Sequence, residues 1–175
     1  MSTLTVERLP YAAMDPGSQL SDALYYLKQQ HEFLEADLLE LQMLARGIGA
    51  AGSRNSLKTD LNQLKVRAER FLKFFQQYQQ DEQETLFPIV DLYTGDKMGP
   101  TAVMKQEYNM AVHNLRLFFQ AFKEDSHTLD PLCAKRSVSH VLQSCFILLE
   151  HMRKEKEWVF PLAEQMLTDI EQFYS

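Results

Sequence analysis

The sequence predicts an all-α fold, an up-down-up-down antiparallel four-helix bundle. Three observations carry that prediction. Apolar residues recur at steps of three and four over long stretches, the signature of helices that bury one face. The long stretches are separated by short segments rich in Gly, Pro, Ser and Asp, so consecutive helices must turn back on one another. Val and Ile are scattered, and no run alternates with a period of two, so there is no strand signal.

Composition sets the outer limits. A chain of 175 residues with 45% hydrophobic and 24% charged residues fits one soluble globular domain around a single core. We divide it into an irregular N-terminal arm, residues 1–17, and a helical bundle, residues 18–175. The net charge of −6 and the lack of a basic run argue against nucleic acid as a partner. Neither a secretory leader nor a membrane-spanning apolar run is present, so a cytoplasmic protein is expected. Cys133 and Cys145 then stand as two free thiols, Cys133 in a first helical turn that favours the thiolate.

The first helix begins at Ser18 or Ser21, either a suitable N-cap, and ends at Gly47. Its apolar stripe is Leu24, Leu27, His31, Leu34, Leu38, Leu41 and Ala45, which puts His31 among leucines. After the linker Gly47–Ser53, a second helix runs from about Ser56 to Tyr93, with Leu64, Phe71, Phe74 or Phe75, Tyr78, Glu82 and Leu86 along its inner line. Pro88 must end or kink it, because proline removes a backbone donor and clashes with the preceding turn.

Thr94–Pro100 is a turn, and the third helix spans Thr101 to Lys123, with Val103, Met110, His113 and Leu117 assigned to its buried seam. Glu124–Leu129 is a polar loop in which His127 is solvated, and Asp130-Pro131 caps the fourth helix. That helix carries His140, Ser144, Ile147, His151 and Glu155 to Pro161 and continues as a kinked segment to the end. His140 lies on nearly the same line as His151 but about 16 Å away along the axis, too far to share a site.

Chemistry enters where two helices repeat one design. His151-x-x-x-Glu155 runs into Phe160-Pro161, and Tyr78-x-x-x-Glu82 runs into Phe87-Pro88 with the same gap. Positions four apart on a helix face the same space. With His31 and His113 from the other two helices, six side chains are expected to converge at one level: His31, Tyr78, Glu82, His113, His151 and Glu155. A charged Glu on a core stripe is costly unless it is paired or bound to metal. Imidazole with carboxylate suits iron, zinc or manganese, and bridging carboxylates favour two ions. The count of donors leaves one open coordination position on an octahedral ion once an oxo or hydroxo bridge is included.

These residues and spacings resemble the hemerythrin-like family with the HHE cation-binding fold, over roughly Ser18 to Leu167. The resemblance implies metal ligands in the order His, His-x-x-x-Glu, His, His-x-x-x-Glu. His31, Glu82, His113, His151 and Glu155 are matched to that order, and so are both Phe-Pro pairs. It further implies a pair of iron ions and a small-molecule ligand such as dioxygen, peroxide or nitric oxide.

Tyr78 departs from the pattern, standing where the family has a histidine. It is either a phenolate ligand, as tyrosine is on the iron of catalase, or a hydrogen-bonding neighbour of the metal, and we favour ligation. A phenolate stabilises ferric iron, which counts against reversible oxygen carriage and toward reaction with peroxide or nitric oxide. The alternative is a sensor, scavenger or store for oxygen, nitric oxide or iron without turnover, so the sequence leaves enzymatic activity open.

Overall fold

A computed structural model of the protein describes residues 16–48, 54–95, 99–124 and 131–174. Every regular element among them is helical: α1 (Pro16–Gly47), α2 (Arg54–Thr85), α3 (Phe87–Thr94), α4 (Pro100–Glu124), α5 (Pro131–Lys154), a π-helical turn (Glu155–Val159) and α6 (Phe160–Tyr174). The rest of the expected N-terminal arm, most of the Gly47–Ser53 linker, and the loop holding His127 lie outside the described residues. Pro16 and Gly17, assigned to that arm from the sequence, instead open α1, since proline in a first turn has no internal donor to lose. Among the described residues, no helix is long and apolar enough to cross a membrane.

The heptad-like stripes become the core. On α1, Leu20, Leu24, Leu27, His31, Leu34, Leu38, Leu41 and Ala45 are all buried at steps of four and three. On α2, Leu61, Leu64, Ala68, Phe71, Phe75, Tyr78 and Glu82 do the same. Of the two candidate phenylalanines, Phe75 goes inward, while Phe74 stays at the surface edge-on to Phe33.

Cross-contacts show neighbours running in opposite directions. Along α1 and α2, His31 faces Tyr78, and Asp37 meets Arg67 and Arg70 at 3.0 and 3.5 Å. Glu35 faces Lys156, and Lys28 pairs with Glu164 further along the chain. Between α4 and α5, Glu107 pairs with Lys154, and the Ser144 hydroxyl donates to the Ala111 carbonyl at 3.0 Å. Two small residues, Ala111 and Ser144, permit that close approach.

The same approach corrects the third predicted seam. Met104, Ala111, Leu115 and Phe118 are the buried line of α4, whereas Val103 and Met110 are about half exposed and His113 is exposed with them. Val103 and Met104, Met110 and Ala111, Leu117 and Phe118 are adjacent apolar pairs, so the periodicity supports two faces about 100° apart. Packing of α4 on α5 through Ala111 selects the other one.

Each Phe-Pro breaks its helix in its own way. Before Pro88, α2 closes with the Leu86 N–H on the Glu82 carbonyl at 2.9 Å, and α3 starts afresh with the proline in its first turn. Before Pro161 the chain stays helical but widens, and the Phe160 N–H reaches back to the Glu155 carbonyl. Pro161 has no N–H and its ring would strike the carbonyl four residues earlier, which a wider turn avoids. His151 and Met152 are buried ahead of the turn, Glu155 and Val159 within it, and Phe160, Ala163 and Met166 after it, while Trp158 is turned out.

Candidate metal centre

Glu82, His151 and Glu155 offer ligand atoms that all lie within 4.8 Å of one another, and all three residues are buried. His151 Nε2 stands 2.6 Å from Glu155 Oε1. This i, i+4 pair joins the last turn of α5 to the first residue of the π-helical turn, and the helical spacing brings the two side chains face to face. Glu82 arrives from the last turn of α2, one turn after Tyr78. Its side chain is fully buried, and neither carboxylate oxygen has a hydrogen-bond partner.

Tyr78 and His31 complete the α1 side. The Tyr78 hydroxyl donates to Glu155 Oε2 at 2.9 Å. His31 Nε2 donates to the Met152 carbonyl at 2.9 Å and lies 3.5 Å from Glu155 Oε2. Phe160 packs edge-on against His31, and Phe75 edge-on against His151, so aromatic walls bound the cluster. Five of the six residues singled out in the sequence therefore meet. His113 does not: it is exposed on α4 and contributes nothing to the cluster.

From α4 the structure supplies Glu107 instead. Its Oε2 lies 3.5 Å from His151 Nδ1, and its Oε1 pairs with Lys154. Sequence reasoning passed over Glu107 because only the true buried face of α4 reveals that it points toward α5. Gln79, buried next to Tyr78 with both amide atoms unpartnered, was also missed. Nothing in the run Gln76-Gln77-Tyr78-Gln79-Gln80 distinguishes it. His140 is half-buried farther along α5, outside the cluster, as its axial distance requires.

The electrostatics are those of a site short of positive charge. Burial, reinforced by the nearby charge of Glu155, pushes the Glu82 carboxyl well above its usual range. The Tyr78 phenol is held well above its ordinary value by burial and by the two carboxylates. Burial disfavours the His151 cation, but the Glu155 charge and the contacts with Glu107 and Glu155 outweigh it and raise the imidazole to about 9. Burial likewise opposes ionisation of Glu155, yet His151, His31 and Tyr78 together hold it below the usual carboxylate range.

The donor set fits a divalent transition metal. Two carboxylates and an imidazole converge, a second imidazole and a phenol lie alongside, and Glu82 has two oxygens with nothing to accept from. Thiolate chemistry is not part of it: Cys133 and Cys145 form no disulfide, and burial pushes Cys145 up to about 12.

A family model described as the Hemerythrin HHE cation binding domain matches residues 22–163, a span that contains every residue of the cluster. No curated protein and no solved structure matches the chain.

Proposed function

The chain belongs to the Hemerythrin HHE cation-binding family, and from that membership we propose that it is a non-haem iron protein that reacts with small oxidants. Glu82, His151 and Glu155 would hold the first ion. His31 and Tyr78 would help to hold a second ion once each gives up its present partner. Iron bound there would supply redox chemistry toward peroxide, nitric oxide or dioxygen. Zinc or manganese would satisfy the same nitrogen and oxygen donors without changing which residues bind. The proposed setting is cytoplasmic.

One observation carries the reading: a fully buried glutamate with both oxygens unpartnered, facing a second buried glutamate and a histidine. A carboxyl group left this way is expensive in a purely structural core. The present contacts define the protein's own part in the chemistry. His151 must lose a proton to ligate, Tyr78 must give up the proton it donates to Glu155, and Glu107 stands beside His151 Nδ1 at the partly exposed side. The aromatic rings of Phe75 and Phe160 keep bulk water from the imidazoles.

The test is metal analysis with an absorption spectrum on protein loaded with ferrous iron and then oxidised. We expect bound iron and a visible phenolate-to-iron band that disappears in Tyr78→Phe. An unchanged band would remove Tyr78 from the ligand set, and absence of bound metal would refute the proposal. Multiple turnovers with hydrogen peroxide or nitric oxide would mark an enzyme, and stoichiometric binding alone a sensor, scavenger or store.

A further inference from the structure

Gln79 is 2% exposed, and neither its Nε2 nor its Oε1 has a hydrogen-bond partner. Buried amides in native proteins are almost always bonded, so one with both ends empty needs an explanation. A leucine or methionine would fill the same volume without that cost. Gln79 stands three residues before Glu82 on α2, a spacing that puts the two Cβ atoms about 5–6 Å apart on one flank.

That flank faces α4. Gln76, one turn earlier on α2, is hydrogen-bonded to Tyr108 of α4, and two turns after Gln79 the Phe87 ring lies under Lys105 of α4. The other buried atoms of the centre without a hydrogen-bond partner are both Glu82 oxygens, Glu107 Oε2, both His151 nitrogens and Glu155 Oε1, with Glu107 Oε2 and His151 Nδ1 3.5 Å apart. On the opposite side, toward α1, the donors are engaged, His31 with Met152 and Tyr78 with Glu155. Packing repeats the asymmetry: α2 lies along α1 and α4 along α5, whereas α2 and α4 touch at few points.

We propose that the small-molecule pocket of the metal centre opens between α2 and α4, and that Gln79 is the residue that hydrogen-bonds the molecule there. A carboxamide donates through Nε2 and accepts through Oε1. It therefore favours a ligand carrying negative charge or a proton, the peroxide class, over an apolar diatomic gas. The inference rests on the metal-binding reading above and names the ligand class of that same centre.

The test uses the full-length, iron-loaded, oxidised protein as wild type, Gln79→Leu and Gln79→Met. Azide, a small anion that accepts hydrogen bonds, and nitric oxide, which accepts them poorly, are titrated in turn and read by absorption. Losing one hydrogen bond to a charged ligand predicts azide weakened about tenfold in both variants. Nitric oxide affinity should stay within about twofold, with iron content unchanged. The metal-free variants should melt no lower than wild type, because an unpartnered amide has been removed. Equal azide affinity at full iron content overturns the role of Gln79 and leaves the metal centre standing. Lower metal-free melting in both variants overturns it as well, marking the amide as structural. A wild type that binds no iron overturns this inference and the proposed function together.

Discussion

Replacing Glu82 by Leu separates a metal ligand from a core residue by the sign of its effect. In the metal-free protein both Glu82 oxygens are buried without partners. An unsatisfied buried polar group costs about 1–3 kcal/mol. An apolar side chain of similar size removes that cost, and at roughly 2–4 °C per kcal/mol for a chain of this length the metal-free melting temperature should rise by about 2–12 °C. Metal should act in the opposite sense. An ion present at about 100 times its Kd stabilises the wild type by about 2.7 kcal/mol, and Glu82→Leu should lose most of that gain. Scanning calorimetry with and without ferrous iron under anaerobic conditions reads both signs in one series. The reasoning is refuted if the variant melts lower than wild type without metal while keeping the full metal-induced increment. That pattern would make Glu82 a structural residue.

The same geometry sets two further expectations. His151 rises from its ordinary 6.5 to about 9 in the metal-free fold, against burial and through its contacts with Glu155 and Glu107. A raised histidine adds stability that is complete below about pH 6.5 and disappears as pH climbs through about 9, here up to about 3 kcal/mol. Glu82, also raised, works in the same direction, since keeping it protonated in the fold costs more relative to the ionised unfolded chain as pH rises. Urea midpoints of the metal-free protein should therefore fall between pH 6.5 and 9, and a flat profile there would contradict the His151 contacts. His113→Ala should leave iron content unchanged and stability within about 0.5 kcal/mol, because the side chain is exposed on α4. Loss of iron in that variant would mean that α4 turns a different face inward when metal is bound.

The two Phe-Pro pairs show how one local signal can have two outcomes. Pro88 and Pro161 each come six residues after a buried glutamate, and each deprives the helix of a donor at the same distance past the site. The first separates α2 from α3, and the second only widens the helix into a π-turn. The second matters for the centre, because Glu155 is the first residue of the π-turn, and the inserted residue lets Phe160 beyond the turn face inward as well.

By itself the sequence determined that the chain is helical, where the helices break, and that His31, Tyr78, Glu82, His151 and Glu155 share one level. Those features come from local physics: the 3.6-residue period, the missing donor of proline, and the alignment of residues four apart on an unambiguous leucine or phenylalanine stripe. Only the tertiary structure decided the face of α4, because its apolar residues come in adjacent pairs and either face satisfies the period. The close contact of Ala111 with Ser144 chose one, turning His113 out and bringing Glu107 toward His151. Burial of Gln79 was equally beyond reach of the sequence, since whether a glutamine in a polar run meets water or protein depends on how the neighbouring helices pack on α2.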